Sequence, residues 1–358
     1  MTSDLAIFAA RLRDFISICE ADSAFAPGTM ESAPAGVEFN SRALALFALQ
    51  FRRNPAYRKF CEARRAFPDS VAHWSRIPAV PAAAFKDLEL TSLPAGERAT
   101  VFHSSGTTEQ RPGRHLHSAE SLAVYEASLW PWFRRHLLPD LTPDTSHLTL
   151  LAPPPAQAPH SSLVHMFATV WSSAFRRTAR SESPEGGTAN NPFMADIAAD
   201  GGWMLDCERI TLALRRSVED QRPLVLLGTA FSFVHLLDHL AERDLCFELP
   251  PGSRVMETGG YKGRARALPK AELHALISAR LAIPPSHIVC EYGMSEMSSQ
   301  AYDSEVRGAK GDVRSGDRSS EFMRAISAKF RCRSAFPDSK SGKKSTVQSP
   351  KGFSKPRA

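Results

Sequence analysis

Four short runs, at 148–152, 224–227, 253–257 and 288–291, are each too brief to be a helix of their own. The first two are apolar on both faces, which fits strands covered from both sides, as in the sheet of an α/β protein. Helical patterns separate the later runs, at 232–243 and 268–281. Ahead of the first run, 118–133 places Leu122, Tyr125, Leu129 and Trp132 on one face, with Ser118 positioned to cap the first turn. The alternation predicts an α/β core over 101–306.

What flanks that core differs from it. Residues 1–100 read as mainly helical: Leu5, Phe8, Leu12, Phe15 and Ile16 form one face of an amphipathic helix interrupted by charges, which is not a signal peptide. Asn40 or Ser41 is expected to cap a helix over 42–51, a short helix follows over 57–65, and prolines stiffen 77–86. Residues 307–358 carry 14 Lys and Arg against 4 Asp and Glu, whereas the first 306 residues carry 30 against 34. The net charge of +6 over 358 residues therefore belongs to a basic, Ser-rich tail that composition predicts to be disordered. The core is mildly acidic, so nucleic acid is not an expected partner. No run approaches the length of a membrane span. The six cysteines are scattered without metal-ligand spacing, which suits free thiols in a cytoplasmic protein and no structural metal.

Three segments carry candidate chemistry. At 101–108, a short apolar run leads into Ser104, Ser105, Gly106, Thr107 and Thr108, whose hydroxyls and backbone N–H groups suit a phosphate. The pattern is neither a Walker loop nor GxGxxG, and alone it equally describes a polar turn. At 255–264, a strand ends in Gly259 and Gly260, followed by Lys262, Arg264 and Arg266, which are placed to face phosphate charge. The carboxyl end of a strand is where open α/β sheets bind ligands. At 288–296, Tyr292 offers a ring to stack on a purine, Gly293 permits a tight turn, and Glu296 is a carboxylate able to hold Mg²⁺. Each of the last two is, alone, equally an ordinary turn with solvated charges.

Taken together, the order and contexts of these segments resemble the adenylate-forming superfamily. Within it they are similar to the acyl-protein synthetases of the LuxE type, relatives of phenylacetate-CoA ligase. Further shared features are Ile-Pro-Ala-Val-Pro at 77–81 with Phe85 and Lys86, Ser-Ser-Leu-Val-His-Met at 161–166, and Glu-Thr-Gly-Gly-Tyr-Lys at 257–262; the resemblance spans 40–303. It implies an adenylate-forming N-terminal-type core. It further implies ATP-dependent activation of a carboxylic acid, a long-chain fatty acid in the LuxE type, as an acyl-adenylate that passes to a protein thiol. Under that resemblance Ser104, Ser105, Gly106, Thr107 and Thr108 cradle the phosphates of ATP, with Thr107 and Thr108 assisting catalysis. Gly259, Gly260, Tyr292 and Gly293 border adenine and the acyl group, and Glu296 holds catalytic Mg²⁺. The alternatives are a coenzyme A ligase of the phenylacetate type and an inactive nucleotide-binding remnant.

The match has two departures. Glu109 stands where relatives continue with glycine. Relatives also continue past the Tyr-Gly-Met-Ser-Glu segment with a ribose-binding acid, a hinge, and a small C-terminal domain bearing a catalytic lysine. LuxE-type members add an acyl-accepting cysteine. None is recognisable after Asp303; Cys332, the only downstream cysteine, reads as a solvated thiol made more acidic by Arg331 and Arg333. The expectation is an altered or truncated end without the small domain, which the other reading frames beyond the Asp303 codon would test. His160 and His165 have no catalytic spacing and are read as structural.

Overall fold

The computed structural model describes residues 3–21, 34–104, 112–142, 145–175, 191–259 and 266–303. Its N-terminal part is helical: α1 (Asp4–Ala21), α2 (Pro34–Arg53), α3 (Pro55–Glu62) and a single turn, α4 (Ala84–Asp87). A small antiparallel pair follows, β1 (Thr100–His103) with β2 (Arg114–His117), then α5 (Ala119–Leu137), β3 (His147–Leu151) and α6 (Ser162–Val170). A second antiparallel pair, β4 (Ala195–Ile197) with β5 (Trp203–Leu205), leads to α7 (Cys207–Glu219), β6 (Leu224–Thr229) and α8 (Ala230–Glu242). The described residues end with β7 (Arg254–Thr258), α9 (Lys270–Leu281), β8 (Ile288–Met294) and β9 (Ser299–Tyr302).

The expected α/β core is present as a five-stranded sheet in the order β3-β6-β7-β8-β9. The first four strands are parallel and β9 returns antiparallel to β8. Side chains alternate along each strand, and that alternation divides the core in two. Leu226, Val255 and Ile288 pack with Phe233 and Leu236 of α8 and Ile277 of α9. Val225, Leu227, Met256 and Val289 pack on the opposite face with Leu129 and Phe133 of α5 and Phe167 of α6. Each such buried side chain contributes roughly 1.5–3 kcal/mol from burial. The other edge of the sheet is covered rather than open: Leu150 N–H donates to Pro192 O at 2.8 Å, and Met194 N–H to Leu150 O at 2.8 Å. Helix α1 lies along α5, so the helical part and the sheet belong to one compact unit, Met1–Asp312.

Three sequence expectations need correction. Helix α2 begins well before residue 42, so neither Asn40 nor Ser41 caps it. Asn40 instead faces outward from the helix, accepting the Trp74 N–H at 2.7 Å and donating to Ala72 O at 3.3 Å. Second, Gly293 makes no turn; it sits inside β8 opposite Gln300. Third, Arg266 pairs with Asp238 of α8 at 2.8 Å rather than standing ready for a phosphate. The cap at Ser118 is as expected and is reciprocal: Ser121 N–H donates to Ser118 Oγ at 3.2 Å, and Ser118 N–H to Ser121 Oγ at 3.0 Å. Among the described residues no helix is long and apolar enough to cross a membrane. The tail at 307–358, with Cys332, lies outside the described residues.

Candidate functional site

Strand β1 delivers the chain to Ser104, where two hydrogen bonds pinch the base of a loop. Ser104 N–H donates to Gly113 O at 2.9 Å, and Gly113 N–H donates to Ser104 Oγ at 2.8 Å. The loop so closed carries Ser105, Gly106, Thr107, Thr108 and Glu109, which lie outside the described residues. Phe85 packs beside Gly113, with its ring centroid 6.0 Å from that of His115.

The acidic segment approaches from the far side of the sequence. Strands β8 and β9 are joined by a tight turn over 295–298, closed by Met297 N–H donating to Met294 O at 3.0 Å. The turn is docked at both ends. Ser295 Oγ lies 2.8 Å from Ser162 Oγ at the start of α6 and 3.4 Å from His103 O, to which it donates. Ser298 Oγ lies 2.9 Å from His117 Nε2. Between them, Glu296 turns its carboxylate to the pinched loop base: a methyl group on Gly113 would stand 2.8 Å from Glu296 Oε1 and 2.9 Å from Ser104 Oγ. Gly113 is thus a clearance rather than a flexible joint.

A second group of polar side chains lies on the neighbouring strands β7 and β8. Glu257 and Glu291 are both buried, each about 4% exposed. Glu257 faces α9, with Oε1 3.2 Å from His274 Nε2. Glu291 faces the opposite side of the sheet and accepts the Thr258 hydroxyl. Its carboxyl also fills the space a side chain at Gly293 would need, which is what the glycine is for. Burial, with a smaller push from the Glu257 charge, raises the Glu291 pKa to about 7, against the pull of the Thr258 hydrogen bond. Gly259 ends β7 at φ 74°, a left-handed backbone that glycine adopts without cost. Tyr292 points away from this buried group and is 60% exposed.

Of the expected site residues, Ser104 and Glu296 are therefore brought together, with Gly259, Tyr292 and Gly293 on the adjoining strand ends. Gly260 lies outside the described residues. Sequence reasoning missed Gly113, His117 and Ser298, which help fix the geometry, and gave no role of their own to Ser162, Ser295 or Glu291, although these lie in the segments it singled out. The alternation in Arg114-His115-Leu116-His117 was the one signal available for β2. His165, read as structural, stacks on Tyr125 and leans on Phe102, with Nε2 3.0 Å from Glu126 Oε1. Burial lowers its pKa despite that carboxylate. His160 stacks on His103 and reaches Val101 O at 3.1 Å.

Among the described residues no cluster of three His, Cys, Asp or Glu side chains is arranged to hold a metal. A single carboxylate beside a serine hydroxyl suits Mg²⁺, which takes few protein ligands and completes its shell with phosphate oxygens and water. Burial raises the thiol pKa values of Cys61 and Cys207 and, together with Glu257, pushes that of Cys290 up to about 12, so these three are poor nucleophiles. An open groove of about 900 Å³ lies elsewhere, between α3 and 88–98, and shares no residue with this site.

The clearance at Gly113 gives a direct test. Both atoms that an added methyl would meet are tips of side chains, so Gly113→Ala is expected to keep its thermal midpoint within a few degrees. Displacing Glu296 by about 1 Å should nonetheless lower any activity of the site by roughly 10²-fold in kcat/KM. No protein-family model matches the chain, and no curated protein matches its sequence.

Proposed function

We propose that this chain activates a carboxylic acid, fatty or aryl, as an acyl-adenylate at the expense of ATP and passes the acyl group to a thiol. The observation that carries the reading is the docking of the Glu296 turn against the Ser104–Gly113 base of the hydroxyl-rich loop. It joins the two segments on which the resemblance to adenylate-forming enzymes mainly rests.

In this reading a carboxylate oxygen attacks the α-phosphorus of ATP, the bond to the bridging oxygen breaks, and pyrophosphate leaves. The thiol sulphur then attacks the acyl carbon and AMP leaves, with the thiol proton passing to solvent or a base. The first step gathers negative charge, and the chain's task is to stabilise it with fixed donors. Ser104, the hydroxyls of Ser105, Thr107 and Thr108, and the loop N–H groups supply those donors. Glu296 holds Mg²⁺, which contributes neutralisation of phosphate charge. Tyr292, exposed on β8, offers its ring to the base, and the Gly259 turn keeps side chains out of that approach. The acceptor thiol comes from outside Cys61, Cys207 and Cys290.

Acid-dependent exchange of labelled pyrophosphate into ATP, run over a panel of fatty and aryl acids, tests the first step. Adding either coenzyme A or a protein thiol then separates the synthetase from the coenzyme A ligase. Nucleotide binding without exchange for any acid would identify a nucleotide-binding remnant instead.

A further inference from the structure

We propose that His117 is a positioning residue for the acidic turn, holding Ser298 so that Glu296 stays against the base of the 104–113 loop. The inference deepens the nucleotide reading and rests on it for its functional arm. Ser298 adopts φ 46°, in the left-handed region where glycine or asparagine is the cheaper residue. A serine persisting there needs a compensating contact, and its Oγ has one, 2.9 Å from His117 Nε2.

His117 is built to make that contact in one orientation. It is buried on β2, with Nδ1 3.1 Å from Ser121 Oγ. Its ring meets Phe102 edge-on at 5.3 Å, lies against His115 at 4.6 Å and stacks on Tyr125 at 6.4 Å. Ser121 Oγ already accepts the Ser118 N–H and directs its own proton to Ser118 O at 3.3 Å. His117 Nδ1 is then the donor to Ser121, which leaves Nε2 to accept the Ser298 hydroxyl proton. Burial first, then the neighbouring His115 and His165, lower the His117 pKa to about 3, so the neutral ring persists across the working pH range. At the other end of the turn, Ser295 is tied to Ser162. Glu296 sits between two anchored serines, which is the preorganisation a metal-binding carboxylate requires.

The test compares His117→Phe, His117→Gln and Ser298→Ala in the full chain. Without nucleotide, exchange of the Met297 amide hydrogen, bonded to Met294 O, should be roughly tenfold faster in His117→Phe and Ser298→Ala. His117→Gln, whose amide oxygen reaches toward the place of Nε2, should restore slow exchange. Half-saturation by MgATP should rise about tenfold in the first two variants and recover in the third. Ser298→Ala leaves the buried ring intact, so it decides the matter if His117→Phe does not fold. Unchanged Met297 exchange in Ser298→Ala overturns the proposal. If the wild-type chain binds no MgATP, the nucleotide reading falls, while the exchange rates still decide the role of His117.

Discussion

Glu296→Gln is expected to lower acid-dependent pyrophosphate exchange by roughly 10²–10³-fold while leaving the fold intact. The substitution keeps the size and the hydrogen-bonding reach of the side chain and removes only its charge. Glu296 makes no ion pair with a described residue, and it is half-buried in a turn held by Ser295 and Ser298, so its loss leaves no buried partner stranded. Thermal unfolding should therefore shift by no more than a few degrees, as for an ordinary surface substitution. Raising Mg²⁺ should recover part of the lost rate, because the variant weakens metal binding without removing the other donors. A rate within threefold of wild type at low Mg²⁺ would contradict the role given to this carboxylate.

The second large effect concerns stability and pH, and its source is Glu291. Its pKa is raised from 4.5 to about 7 in the folded chain, because burial disfavours the charged carboxylate. A carboxyl whose folded pKa is raised stabilises the fold fully below its unfolded pKa, and that contribution is lost as pH rises through the folded value. The window is therefore about pH 4.5 to 7, and the loss amounts to roughly 3 kcal/mol at 1.36 kcal/mol per pKa unit. Glu291→Gln cannot ionise and can still accept the Thr258 hydroxyl. It should match wild type near pH 4, below the window, and exceed it by up to about 3 kcal/mol at pH 8 in urea unfolding. The groups facing Glu291 are Thr258, Tyr125 and Tyr302, with Glu257 on the other face of the sheet. The two tyrosines have pKa values raised by burial, with a further push from Glu291, and stay neutral throughout the window. The difference between the two stability curves thus reports Glu291 alone. Parallel curves from pH 5 to pH 8 would show that this carboxyl is not strained by burial.

Much of the architecture was legible because burial writes itself into apolar runs. The runs at 148–152, 224–227, 253–257 and 288–291 correspond to β3, β6, β7 and β8, and Ser118 caps α5 as its position suggested. What escaped had tertiary causes. Strand β2 is Arg114-His115-Leu116-His117, three polar residues out of four, and tertiary packing, with Phe102 and Tyr125 among the neighbours, makes His117 a buried residue. Asn40 resembled a helix cap because its side chain can accept a backbone N–H; the N–H it accepts belongs to Trp74, which sequence distance hides. The two carboxylates inside familiar segments, Glu257 and Glu291, carry no local mark of burial, since burial comes from helices and strands elsewhere in the chain. Gly293 suggested a turn for the same reason. Its small size serves the Glu291 carboxyl two residues back along the same face of β8.

The candidate site shows the same division. Ser104 and Glu296 were identifiable by residue type and segment, but their meeting depends on Ser162 and Ser295, which the sequence marks only as members of family-like segments, and on His117 and Ser298, which have no distinctive local pattern. The most direct measurement of the account is calorimetric titration of the purified full chain with ATP, with and without Mg²⁺. Saturable binding that depends on Mg²⁺ and is strongly weakened in Glu296→Gln is the expected result. No heat of binding from the folded wild-type chain, at any Mg²⁺ concentration, would contradict it.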